Sequence, residues 1–135
     1  MSTSKKIILF VVLAITILGG ILVGTLSREK TASGDSTKIY SDFATITMVA
    51  DGFSPAVITV RKGTRVTFIN RDTLWRWPAS DIHPSHDLYP QFDPKHPIEP
   101  GEEWSFVFEE KGEWGMHDHL APYITGKVTV IRPTD

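Results

Sequence analysis

The sequence predicts an all-β sandwich of short strands, preceded by one N-terminal transmembrane helix. Three observations carry this. Six short runs alternate β-branched or aromatic residues with polar ones, turn residues separate the runs, and no amphipathic helical pattern competes with them. At 135 residues the chain has room for one ordinary domain and a short extra segment. With 41% hydrophobic and 22% charged residues it resembles a domain that buries a core, not a disordered chain.

The N-terminal segment comes first. Ile7 to Leu26 is a run of 20 uncharged, mostly apolar residues behind Lys5 and Lys6 and ahead of Arg28, Glu29 and Lys30. At ~1.5 Å per residue such a helix covers the ~30 Å hydrocarbon core of a bilayer. No small-residue cleavage motif follows Leu26, so the segment reads as an uncleaved anchor within residues 1–30. The short N-terminal tail is more easily left in the cytoplasm than the long remainder, which predicts a single-pass protein of the cell membrane with its C-terminal domain on the extracytoplasmic side. Residues 31–42 are small and polar and read as a linker, leaving 43–135 as the domain.

Within that domain the strands are expected at 44–50, 56–60, 64–70, 103–109, 113–117 and 127–132. Val66 and Phe68 alternate with Arg65 and Thr67, and Trp104, Phe106 and Phe108 fall on alternate positions. Arg61-Lys62-Gly63 and Glu99-Pro100-Gly101 supply turns. The exception is the stretch from Asp72 to Pro100, which holds six of the nine prolines and no strand pattern. A loop of that length in a small domain is usually functional or disordered, and Trp75, Trp77, Tyr89 and Phe92 argue that this one folds down.

Several chemistries are excluded at once. The chain has no cysteine, which removes disulfides, thiolate metal sites and thiol nucleophiles. A formal net charge of -2 offers no basic face for nucleic acid. What remains is histidine. Four of the five histidines form two close pairs, His83-Pro84-Ser85-His86 in the long loop and His117-Asp118-His119 at the end of the fifth run. On a strand, residues i and i+2 project from one face, so His117 and His119 are expected to reach one ion together. A proline opening a helical turn would put His83 and His86 on one side at i and i+3.

A cluster of these four suits copper(II), zinc or nickel, and the Irving–Williams order favours copper. His96, isolated between Lys95 and Pro97, is expected to be solvated. Asp81, Asp87 and Asp118 are candidates to accept the outer ring N–H of a ligand. Asp93 reads as a turn former and Met116 as core, since alternation turns it away from His117 and His119. Trp75, Trp77, Trp104 and Trp114 either screen the site, relay an electron or are simply buried, and Arg76 either repels a cation or pairs with an aspartate.

The segments Gly52-Phe53-Ser54-Pro55, Ile58 to Asp72, Ile98-Glu99-Pro100-Gly101, Trp104 to Phe108, Gly112-Glu113-Trp114 and Gly126 to Val130 together resemble a cupredoxin. The resemblance implies a Greek-key β-sandwich with a metal site at one end, where the two loops bearing the histidine pairs meet. Two departures qualify it. Where blue-copper cupredoxins place their first histidine this chain has Trp75-Arg76-Trp77, and where they place their cysteine it has His117-Asp118-His119. Without a thiolate there is no blue-copper site.

Gly112 to His119 is instead similar to the H-x-H strand of multicopper oxidases. The elements from Trp77 to His86 and His117-Asp118-His119 resemble those of cupredoxin-like domains of some bacteria. The resemblance carries over ligand candidacy for His83, His86, His117 and His119 only, not an oxidase activity. The expectation is a membrane-anchored protein with a histidine-only copper site that binds or hands on copper, with a redox or copper-trafficking protein as partner. Two alternatives stand beside it: a type-2-like copper redox enzyme with an open coordination position, and a metal-free interaction module.

Overall fold

The computed structural model describes residues 38–134. The expected span at Ile7–Leu26 lies outside these residues, and among them no helix is long and apolar enough to cross a membrane. The described residues form β1 (Ile39–Tyr40), β2 (Phe43–Val49), β3 (Gly52–Ser54), β4 (Val57–Arg61), β5 (Arg65–Asn70), β6 (Pro78–Ser80), β7 (Glu103–Val107), β8 (Gly112–Asp118) and β9 (Ala121–Ile131). They make two sheets, ordered β1-β4-β9-β8-β6 and β3-β2-β5-β7. The expected sandwich is therefore present, and the six patterned runs fall on β2, β4, β5, β7, β8 and β9.

Alternation explains the core. β2 turns Ala44, Ile46 and Met48 inward, β5 turns Val66, Phe68 and Asn70, and from the other sheet come Ile58 and Val60, Val128 and Val130, and Met116. Fully burying each large apolar side chain contributes about 1.5–3 kcal/mol, so these faces hold the two layers together. Gly63 and Gly101 close the two expected turns at φ of 89° and 86°, a backbone region open to glycine at no steric cost.

Three strands differ from the expectation, each for a local reason. β1 is built from the last part of the stretch read as linker: Ile39 and Tyr40 pair parallel with Thr59 and Val60, so the domain begins before residue 43. Two residues are too few to show a period. β3 is a three-residue hairpin partner of β2. β6 lies inside the proline-rich loop, pairing Pro78, Ala79 and Ser80 with Asp118, His117 and Met116 of β8. Proline is tolerated there because Pro78 opens a strand at the edge of the sheet. The pairing fastens the start of the long loop beside His117.

The rest of the loop is held by side chains. Asn70, fully buried, donates from Nδ2 to the carbonyls of Leu74 (2.9 Å) and Ile98 (3.0 Å), and its Oδ1 accepts from Asp72 N–H (2.9 Å). One side chain thus closes the loop's base. Further out, Ser80 Oγ accepts from Tyr89 N–H at 2.7 Å, and Ser80 N–H donates to the Phe92 carbonyl at 2.9 Å. Tyr89 and Phe92 are buried, Phe92 among Phe68, Trp104, Phe106 and Phe108. Trp75, expected to help fold the loop down, instead stands on the surface at 49% exposure.

Candidate metal centre

The two histidine pairs meet. Each of His83, His86, His117 and His119 offers a ring nitrogen, and these nitrogens lie within 4.8 Å of one another. The pairs interleave: His83 Nδ1 is 3.3 Å from His117 Nε2, and His86 Nε2 is 2.9 Å from His119 Nδ1. Each loop histidine thus brings a ring nitrogen to a different member of the other pair, while its ring lies 4.8–5.2 Å from both. His96 is exposed, with Nδ1 3.1 Å from the Pro97 carbonyl, and stays outside the cluster.

The local routes to this arrangement differ from the expected ones. His119 lies just beyond β8, in the turn to β9, where the β8–β9 register shifts between His117 and Asp118. Its position comes from its backbone, whose N–H donates to the Trp77 carbonyl at 2.8 Å, and from its ring, 4.6 Å from that of Trp77. In the loop, His86 N–H donates to the Ile82 carbonyl at 2.7 Å, closing a single turn with His86 at φ 57° instead of a helix.

Two carboxylates set the chemistry of the nitrogens. His117 Nδ1–H donates to Asp81 Oδ1 at 3.0 Å, and His86 Nδ1–H to Asp93 Oδ2 at 2.7 Å. With the proton held on Nδ1, the Nε2 lone pair of each ring points into the cluster. Asp93 does form the turn read from the sequence, accepting from Lys95 N–H at 2.8 Å, but it also accepts from Trp77 Nε1 at 2.9 Å and binds Lys95 Nζ at 2.9 Å. Sequence reasoning missed its bond to His86. The available signal was an aspartate seven residues past His86 in the same loop.

Gly115 is a second residue that sequence reasoning passed over. It lies two residues before His117 on β8, and a Cβ there would collide with the Asp81 carboxylate. Its bare backbone lets Asp81 lie across the strand and reach the His117 ring, with Asp81 N–H donating to the Gly115 carbonyl at 3.0 Å.

Asp118 does not orient a histidine. It accepts from Arg76 Nη1 (3.0 Å), Trp77 N–H (3.1 Å) and Leu120 N–H (3.0 Å). Arg76 also binds Asp72 through Nε at 2.9 Å and through Nη2, so it pairs with two aspartates and its own charge is taken up by them. Asp87 is exposed. Met116 is fully buried in the core, as alternation required.

Charge follows from these contacts. Burial pushes the His117 imidazole below the ordinary histidine value, only partly opposed by Asp81, and burial with the neighbouring rings of His86, His83 and His117 lowers His119 as well. Burial would raise Asp93, but its bonds from Lys95, His86 and Trp77 outweigh that and hold it well below the usual carboxylate range. His117 and His119 are thus biased toward the neutral imidazole, and Asp93 toward the carboxylate. Two nitrogens ligating one ion at ~2.0–2.1 Å lie roughly 2.9 Å apart at a right angle and roughly 3.3 Å apart at the tetrahedral angle. The 2.9 and 3.3 Å contacts fit those spacings.

Residues 14–130 match the family model of the cupredoxin-like domain. The chain belongs to that family. Among solved structures, it is similar to a purple cupredoxin from Nitrosopumilus maritimus, at 26% identity and a TM-score of 0.58, covering 65% of this chain and 99% of that one. A copper-containing nitrite reductase from Thermus scotoductus shares 23% identity with a TM-score of 0.56, over 67% of this chain and 22% of the reductase. A Cu(I) amicyanin variant shares 19% identity with a TM-score of 0.56, over 76% of this chain and 87% of that one. The last two speak to the fold alone. No curated protein matches the chain. As a cupredoxin it departs from the blue-copper pattern: it has no cysteine, and His117 and His119 occupy the end of β8 and the turn after it.

Proposed function

We propose that this cupredoxin is a membrane-tethered, extracytoplasmic copper-binding protein whose site consists of His83, His86, His117 and His119. The observation that carries the reading is the convergence of four imidazole nitrogens within 4.8 Å of one another, two of them aimed inward by carboxylates. Structural histidines need no such arrangement, because crowding four basic rings costs stability unless something neutralises or ligates them. Copper(II) is favoured over zinc by the Irving–Williams order. Bound there, the ion would supply a charge and a redox couple held by neutral donors alone. The N-terminal apolar segment Ile7–Leu26 supports the tether.

The test is metal analysis with electron paramagnetic resonance on the full chain in detergent, without a polyhistidine tag. One copper per chain, nitrogen hyperfine structure from several imidazoles, and no intense visible band of the thiolate–copper kind are expected. Absence of stoichiometric copper, or equal occupancy by zinc in competition, would overturn the assignment.

A further inference from the structure

The four histidines are not held alike. His86 and His117 are 4% and 2% exposed and each donates to a carboxylate. His119 is half-buried, packed on Trp77 and anchored through its backbone to the Trp77 carbonyl. His83 is exposed, and its hydrogen-bond and ring contacts among the described residues are with the rings of His117 and His119. Among the described residues no carboxylate hydrogen-bonds to its ring. The turn that carries it is exposed too, with Ile82 at 67% and both Pro84 and Ser85 on the surface. Anchoring resumes on either side, at Asp81 N–H to the Gly115 carbonyl and His86 N–H to the Ile82 carbonyl.

We infer that His83 is the replaceable ligand of the centre. Its ring leaves the ion toward solvent and opens one coordination position to a small monodentate nitrogen or oxygen donor, while His86, His117 and His119 keep their hold. This rests on the proposed four-histidine copper site and adds to it a place where external donors bind and where the ion is passed on. Three well-oriented histidines with one exchangeable position is an arrangement that retains a metal while admitting a ligand. The outward swing disturbs little, because His83 is no part of the hydrophobic core and its side-chain hydrogen bond goes to His117, another of the four candidate ligands.

Azide serves as the probe, titrated into the copper-loaded full chain in detergent and followed by electron paramagnetic resonance and absorption. His83→Ala is expected to lower the melting temperature of the metal-free chain by no more than a few degrees, through its contact with His117, and to keep one copper per chain at saturating copper, with reduced affinity. Azide half-saturation should fall by about tenfold or more, since removing the competing ring makes the open state the only one. His86→Ala and His117→Ala should instead lose stoichiometric copper. Loss of copper in His83→Ala to the same extent as in His117→Ala, or a copper spectrum in His83→Ala that ignores azide, would overturn the inference. So would the azide gain appearing in His119→Ala instead. A wild-type chain that takes up no copper would overturn the underlying reading, and the wild-type titration separates that failure from the others.

Discussion

One half of the histidine cluster sits at the end of a strand and in the turn after it, the other on a loop, and the two are made rigid by different means. His117 lies on β8, which is hydrogen-bonded to β9 on one side and to β6 on the other. Its place follows from the sheet ladder. His83 and His86 lie in a stretch whose regular pairing ends with Ser80, and beyond that point the backbone is placed by side chains: Asn70 at the base, Ser80 under Tyr89, Phe92 in the core, and Asp93 against His86. A loop can therefore deliver a ligand as accurately as a strand, provided it brings its own core residues and its own carboxylate.

The largest expected effect tests that dependence. Phe92→Ala removes a fully buried ring stacked among Phe68, Trp104 and Phe106, and should destabilise the domain by about 4 kcal/mol. In a variant that still folds, the loop pair should lose its positions while the strand pair keeps its own, so copper binding falls to that of a His83→Ala/His86→Ala double variant. Denaturant unfolding and copper titration read the two effects. A loss below about 1 kcal/mol with full copper affinity would mean the loop is placed by something other than this plug.

Next comes the joint between the halves. Asp118 belongs to β8 but accepts from Arg76 and Trp77 of the loop, and both Arg76 and Asp118 are buried. Asp118→Asn leaves Arg76 with Asp72 as its remaining carboxylate in a desolvated site, which should cost about 3 kcal/mol. Asp72 is held below the ordinary carboxylate value first by its bond to Arg76, and Arg76 is held above its own because the bonds to Asp72 and Asp118 outweigh burial. If Asp118→Asn unfolds at the same denaturant concentration as the wild type, the ion triad does not join strand to loop.

These contrasts also explain what could be read from the sequence. The strand half was legible because alternation is a local signal: Val66 and Phe68, or Met116 beside His117, declare their faces without reference to anything distant. The four candidate ligands were legible because four of the five histidines fall in two close pairs, where one pair alone would have meant little. What the sequence withheld was long-range. Pro78–Ser80 has no period to betray an edge strand, and its partnership with His117 exists only in the folded sheet. Asp93 announced a turn and made one, but its bond to His86 depends on where Trp77 and Lys95 put it. Gly115 looked like any glycine in a strand, because the carboxylate it makes room for comes from Asp81, far upstream.

The contact between Gly115 and Asp81 gives a smaller and sharper test of how the strand half is tuned. Gly115→Ala should push the partly exposed Asp81 carboxylate off the His117 ring without unfolding the sheet. Loss of such an outer hydrogen bond typically lowers metal affinity about 10- to 100-fold. Asp81→Ala should do the same, and the double variant should be no worse than either alone, because both remove one interaction. Competition titration against a chelator measures all three. Additive losses would show that Gly115 acts through something besides Asp81.

The smallest effect is the dependence on pH, and its sign separates the two halves again. His117 and His119 titrate below the ordinary histidine value of 6.5 in the folded chain, chiefly because burial disfavours their charged forms. Between 6.5 and those lowered values the unfolded chain binds more protons than the folded one, so stability of the metal-free protein rises with pH across that window. It is complete above 6.5 and is lost as pH falls toward the folded values. Asp93 adds a second, more acidic limb, since its carboxyl is held well below the ordinary 3.8 and its contribution is lost only as pH falls beneath that figure. Metal binding should follow the first limb, because protons and the ion compete for the same lone pairs, and His117→Gln should flatten it while leaving the Asp93 limb in place. Thermal melts of the metal-free chain from neutral to acid pH measure both limbs. A melting temperature that rises as pH falls through 6.5 would mean that the strand-end histidines favour the proton instead of excluding it, and the buried neutral rings proposed as ligands would have to be abandoned.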